Sequence, residues 1–444
     1  MKKIGMILTV LVLLIGCRQK SDNVLNYAFN DNMAFQSAEK SFAAKFDVIW
    51  NGMNANYALW DLEYAYGFNW DAVYDTYRPQ FEALDQQKTA VTDEQVQALL
   101  DSMVAPFHDG HLTFLVKNHV TGHELKSSPN KLRVLRERGE EYNAVSQFIP
   151  SLSYYAALPG ELLEYQHASS LVYDSTLQGV DTTKLIDNAI TIQYGLFKDN
   201  IAYLQFDAFY LSPYLHPDFT QMIFGTPSAG TKAVIDSVAG TWRAWFNAIQ
   251  QHHKAGDLGG VIIDIRSNGG GYMADYKYVL GALLPEGGYH NCNARFKRGT
   301  GRLDYSPVMP QYVQTLSEDH VTVTKPIVVL CNCASVSMAE QTSLGAKSIE
   351  NATLIGTRTW GGLCALDEAA SYSDNYSGYV GVRGMTPVFC YIPREVVFTL
   401  DGEVLESVGI TPDIELPFDS VTWNKGAGPD NQIDRALQLI RTGN

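Results

Sequence analysis

Three short apolar runs constrain this 444-residue chain most: "GGVIIDIRSNGGG" from Gly259, "PIVVLCNC" from Pro326 and "ATLIGT" from Ala352. Each reads as a buried strand closed by a turn. The intervening stretches "ADYKYVLGALLP" and "SMAEQTSLGAKSI" carry helical patterns, and upstream Trp242, Trp245, Phe246 and Ile249 mark an amphipathic helix. Strand–helix–strand alternation predicts an α/β core with a parallel or mixed sheet and helices packed on it. Loops at the C-terminal ends of such strands are where sites collect. Gly269–Gly271 and Ser335–Ser337 both fall there.

The preceding residues read differently. Phe42, Phe46, Ile49, Trp50 and Met53 share one helical face, and Thr92-x-x-Gln95 forms a capping box ahead of Val96, Leu99, Leu100 and Met103. The aromatic-dense stretch "WDLEYAYGFNWDAVYDTYRP" fits a packed core better than a ligand cage. These patterns divide the chain into a helical N-terminal domain (37–118), a β-containing linker region of uncertain organisation (119–195), an α/β core (196–420) and a C-terminal helix or tail (421–444).

Residues 1–36 serve another purpose. Lys2 and Lys3 precede an apolar run, Ile7–Ile15, that is short for a bilayer span. The run ends in "LLIGC", which resembles a bacterial lipobox. That resemblance implies a signal peptide (1–16) removed after Gly16, lipidation of Cys17 and a polar tether over 17–36. The expected location is the cell envelope, lipid-anchored, with the outer membrane favoured by Arg18 after the cysteine. Cleavage takes two of the 33 basic residues and leaves 31 against 48 acidic ones, a net charge of −17. No basic stripe accompanies this acidity, which argues against nucleic acid as a partner.

Five cysteines then remain: Cys292, Cys331, Cys333, Cys364 and Cys390. An odd number cannot all pair within one chain. A Cys364–Cys390 disulfide suits an oxidising envelope, but no pattern requires it. No histidine cluster lies beside Cys331-Asn-Cys333 to suggest zinc, and His252-His253 reads as a solvated helix end.

Ser337 and Glu340 spell S-x-x-E, which a helix cap explains without catalysis. The same place suits a nucleophile, because a helix N-terminus offers free N–H groups and a positive dipole end to an oxyanion. The glycine triplet after "IRSN" lets a backbone N–H approach a reacting carbonyl.

Four segments, in order, resemble the tricorn and C-terminal-processing serine peptidases. "FHDGHLTF" is similar to the "DGH" segment of the tricorn-like branch, and "GGVIIDIRSNGGG" to the family's D-x-R-x-N-x-GG. "CNCASVSMAEQTSLGAKSIENATLIGTRTWGG" resembles the nucleophile segment, with a serine three residues before a glutamate. "LDGEVLESVGITPDIEL" resembles the closing E-x-x-G-I-x-P-D signature. The matches run from about residue 40 to 417, with the middle poorly covered. They imply a helical N-terminal region and a crotonase/ClpP-like spiral β-α core.

On the same alignment Ser337 is the nucleophile, His111 the base and Glu406 the acid that orients it. The oxyanion donors would be the backbone N–H of Met338 with that of Gly270 or Gly271. No metal or organic cofactor is implied, and the partner is a peptide or protein substrate. The oligomeric state stays open.

Two features depart from the pattern. The processing branch places a lysine base 25 residues after the serine, where this chain has Gly362; only Lys347 and Lys425 follow Ser337. That turns the expectation to His111, preceded by Gly110 where tricorn has a serine. His108 is a nearby competitor. Nor does 115–190 contain a peptide-binding PDZ-type loop. The reading is therefore a Ser-His-Glu peptidase. Its rivals are a non-catalytic binding lipoprotein on the same fold, as retinoid-binding relatives illustrate, and a crotonase-like acyl enzyme, which would need a basic pocket for coenzyme A.

Overall fold

A computed structural model describes residues 32–146, 152–171, 177–298, 301–316, 319–364, 379–423 and 428–443. The leader, Cys17 and most of the tether lie outside them. The chain builds two compact units. One comprises residues through Arg133 with Ala294–Met309 and Cys364–Val396; the other comprises Val134–Asn293, Pro310–Leu363 and Val397 onward. The units thus interleave in sequence, and residues 134–195, expected as a linker, belong to the second.

The first unit opens with helices α1 (Phe42–Asn56), α2 (Trp70–Asp85) and α3 (Asp93–Val104). Ser41 caps α1, and the Asp85 carboxylate accepts the Phe42 and Ala43 N–H groups at 2.7 and 3.0 Å. Phe42, Phe46, Ile49 and Met53 are buried as their spacing predicts. The Thr92–Gln95 box forms with both of its bonds. Strands β1 (Thr113–Lys117) and β2 (Glu124–Ser127) join Val388–Tyr391 and Tyr379–Val380 in an antiparallel sheet, with Thr113 opposite Tyr391.

In the second unit the strands are β3 (Leu162–Ser169), β4 (Thr191–Phe197), β5 (Ile201–Phe206), β6 (Gly260–Asp264), β7 (Ile327–Cys331), β8 (Ala352–Gly356) and β9 (Ile414–Glu415). They form one mixed sheet in the order β9-β8-β7-β6-β5-β4-β3. The run from β9 to β5 is parallel, and β4 and β3 are antiparallel additions. Strands β5, β6 and β7 are buried throughout, which is why they read as unbroken apolar runs.

The 27-residue α4 (Ala229–Ala255) buries Val234, Val238, Trp242, Trp245, Phe246 and Ile249. Helix α5 (Met338–Ser348) follows β7, and α6 (Asn431–Thr442) sends Ile433, Ala436 and Leu437 into the cluster around Ile262, Val328 and Ile355. One expectation fails here: "ADYKYVLGALLP" is two 3₁₀ turns, Met273–Tyr278 and Gly281–Leu283, not a helix. The backbone breaks at Val279 (φ −111°, ψ −95°). Gly281 sits so close to the Gln314 carbonyl that a Cβ would lie 2.0 Å from it. Tertiary packing overrides the helical pattern.

Candidate active site

The aspartate and arginine of "IIDIRSNGGG" are structural. Arg266 is fully buried and donates from Nε to Asp264 Oδ1 at 2.9 Å and from Nη1 to Asp430 Oδ1 and Gln432 Oε1 at 3.0 and 2.8 Å. Tyr203 Oη donates to Asp264 Oδ2 at 2.7 Å. This network joins the end of β6 to the cap of α6, so the next residues leave the sheet from a fixed point. Such a buried ion set is tolerable because its charges are paired with one another, Asp430 Oδ2 standing 2.8 Å from Arg266 Nη1.

Asn268 then shapes the glycine turn. Its Nδ2 donates to Phe206 O at 2.9 Å, its Oδ1 accepts the Gly270 N–H at 2.9 Å, and its carbonyl accepts the Val336 N–H at 3.0 Å. Gly270 has φ +84°, and an added Cβ would lie 2.6 Å from Ser337 Cβ and 2.8 Å from Val336 O. Only glycine permits this contact.

On the facing turn the two serines separate. Ser335 is fully buried; its hydroxyl donates to Ile265 O at 2.8 Å and accepts the Asn332 N–H at 3.0 Å. Ser335 is a fastener. Ser337 is partly exposed, with φ +59° and ψ −116°, and its side chain makes no capping bond. A positive φ on a non-glycine residue is strain that the surroundings must hold. Here the Ser337 N–H donates to Gly362 O at 3.2 Å, and its carbonyl accepts from Glu340 and Gln341 at 2.8 and 3.0 Å.

The capping-box reading of Ser337 and Glu340 is therefore corrected. The Glu340 carboxylate accepts instead from Thr359 Oγ1, Gly361 N and Gly362 N at 2.6, 2.9 and 2.6 Å. Burial raises its pKa, and the bonds from Thr359, Gly361, Gly362 and the Ser337 backbone oppose that rise.

Of the three expected oxyanion donors, Gly270 has its N–H committed to Asn268. The Gly271 and Met338 N–H groups have no acceptor among the described residues; Met338 is the first residue of α5, where no intrahelical partner exists. Glu406 is buried on the same unit. Its neighbour Ser407, at φ +70°, donates its N–H to Gly361 O at 2.9 Å. Glu403 is exposed on a turn closed by Thr399 N–H to Glu403 O at 2.8 Å.

His111 belongs to the first unit. It stands just before β1, where Asp109 Oδ1 accepts the N–H groups of His111 and Leu112 at 2.6 and 2.9 Å. Its ring lies 6.2 Å from that of Tyr391, and neither ring nitrogen has a well-formed partner among the described residues. Burial pushes the imidazole down to about 4, partly offset by the Cys364 backbone. An imidazole held that low stays uncharged through the physiological range.

His108 is engaged elsewhere, its Nδ1 3.0 Å from Glu63 Oε2 and its ring stacked on Tyr66. The sequence reading passed over Asp109, whose second oxygen has no well-formed partner among the described residues and whose carboxyl burial raises to about 7 against hydrogen bonds from His111, Leu112 and Tyr57. Its only local signal is an aspartate two residues before a histidine at a strand start, an Asx turn. All five described cysteines are buried and none is in a disulfide, Cys364 and Cys390 included.

Fold and turn geometry define an α/β protein that presents a serine at a strained strand-to-helix junction beside a glycine turn. Residues 200–416, within the α/β core, match the model of peptidase family S41. Among curated relatives, tricorn protease of Thermoplasma volcanium is 25% identical over 192 residues, 43% of this chain and 15% of that protein. The carboxy-terminal-processing protease of Bartonella bacilliformis is 26% identical over 166 residues, 37% of this chain and 33% of that protein. The chain thus spans a third or less of the length of these relatives. A crystal structure from Parabacteroides merdae ATCC 43184 shares the fold, with TM-score 0.55, 19% identity and coverage of 90% and 96% of the two chains. Mature CPAF does so at TM-score 0.52 and 14% identity, covering 91% of this chain and 98% of its own.

Proposed function

We propose that this chain is a serine-type peptidase with a Ser337–His111–Glu406 arrangement. Ser337 Oγ attacks the scissile carbonyl while His111 takes its proton. His111 then returns that proton to the leaving amine, and water hydrolyses the acyl-enzyme by the same route in reverse. Met338 N–H and Gly271 N–H receive the oxyanion; Gly270 supplies the close backbone approach. Glu406 holds the imidazole in the productive tautomer.

The observation that carries this reading is Ser337 itself, a non-glycine residue at φ +59° with an unused capping role, packed against Gly270. The tricorn and processing-protease likeness supports the same chemistry. With it go a lipid anchor at Cys17 and residence in the cell envelope. Incubating the protein with a peptide library and sequencing new termini by mass spectrometry tests the proposal. Cleavage by the wild type and none by Ser337→Ala is expected. No cleavage by either leaves a non-catalytic binding lipoprotein as the reading, and equal cleavage by both removes Ser337 as the nucleophile.

A further inference from the structure

We infer that Glu340 is a positioning residue whose single carboxylate fixes the backbone that carries both Ser337 and Glu406, an inference that rests on the peptidase reading above. The side chain is fully buried on the first turn of α5. Its three well-formed bonds come from Thr359, Gly361 and Gly362, and each of those residues passes the constraint on. Gly362 O accepts the Ser337 N–H at 3.2 Å, and Gly361 O accepts the Ser407 N–H, next to Glu406, at 2.9 Å. Thr359 Oγ1 accepts the Ile410 N–H at 2.7 Å, and the Trp360 N–H donates to Ser335 O at 3.1 Å.

Burying a carboxylate is costly unless its lone pairs are filled, and here three donors converge on it. The strained backbone of Ser337 needs such a hold. Where the processing peptidases carry a lysine, this chain has Gly362, whose N–H the acid accepts at 2.6 Å. The donors require an acceptor on both oxygens. A glutamine keeps one oxygen for Thr359 and Gly361 and turns an NH₂ toward the Gly362 N–H, donor against donor. The loop then shifts, and with it Gly362 O and the Ser337 N–H.

Glu340→Gln tests this, with Thr359→Val as a milder variant that removes one donor to Glu340, and with it the acceptor of the Ile410 N–H, while keeping side-chain volume. Fluorophosphonate titration counts competent sites, peptide turnover gives kcat and KM per site, and hydrogen exchange follows the Gly361 and Gly362 amides. The expected result is faster exchange at both amides and a fall in kcat per titrated site on the order of 10²-fold for Glu340→Gln. KM should stay near the wild-type value, and Thr359→Val should show a smaller fall of the same kind. Variants that keep wild-type kcat per titrated site, or lose activity only through fewer competent sites, overturn the positioning role alone. A wild type that neither labels nor turns over peptide overturns the peptidase reading, and the positioning role with it.

Discussion

Around Ser337, in the second unit, the backbone is tied at every turn. The Asn268, Asn332, Ser335 and Glu340 side chains all hold neighbouring N–H or C=O groups, and the serine hydroxyl is left out of the network. Around His111, in the first unit, Asp109 ties the backbone in the same way, but the buried ring nitrogens have no well-formed partner among the described residues. In the proposed peptidase a nucleophile at Ser337 would have its position fixed by hydrogen bonds, and a base at His111 would have its protonation state fixed by burial. The two segments solve different problems with different physics.

The widest contrast comes from Ser337→Ala and Ser335→Ala. Loss of the nucleophile should lower kcat by on the order of 10⁴-fold or more with little change in melting temperature. Loss of the Ser335 fastener should instead cost about 1–3 kcal/mol of stability, read by urea denaturation, with turnover per folded molecule largely kept. A reversed pattern would assign the roles the other way.

Glu406→Gln and Glu403→Gln come next. The buried carboxylate should cost roughly 10²- to 10⁴-fold in kcat, and the exposed one on the turn almost nothing. A large loss for Glu403→Gln with little for Glu406→Gln would move the orienting acid.

The histidine side of the comparison is sharpened by pH. Because burial lowers His111 to about 4, the acid limb of kcat/KM should lie well below pH 6, not at the 6–7 of an ordinary histidine. A limb near 6.5 would mean that the ring is solvated in the working enzyme.

Smaller still are two opposed stability slopes. As pH falls from about 6.5 to about 4, the unfolded chain protonates His111 first, so this group's contribution to stability is lost through that window. Asp109, raised from 3.8 to about 7, acts in the opposite sense: its contribution is present at low pH and is lost as pH climbs from about 4 to about 7. His111→Gln should therefore leave a stability that falls with rising pH, and Asp109→Asn one that rises. Denaturant titrations at pH 4.5 and 7 separate the two, and identical slopes in both variants would refute the burial argument.

Much of this was legible in the sequence, for definable reasons. Strands β6, β7 and β8 sit within continuous apolar runs because a parallel strand is covered on both faces, and the Thr92 cap is a local pattern with a local partner. Glu340 was not legible, because S-x-x-E looks the same whether the acid turns back on its own helix or reaches across to Gly361 and Gly362. Strand β3 was hidden by its exposure on the outer edge of the sheet. The assignment of Ala294–Met309 and Cys364–Val396 to the first unit depends on non-local packing that no window of residues encodes.

The central claim is that Ser337 is a nucleophile and not a cap. A fluorophosphonate probe, followed by proteolysis and mass spectrometry of the wild-type protein, addresses it directly. A phosphonyl adduct on the peptide containing Ser337, localised to that residue and absent from Ser337→Ala, is the predicted result. A folded wild type with no adduct, or with the adduct on Ser335 or elsewhere, would contradict it.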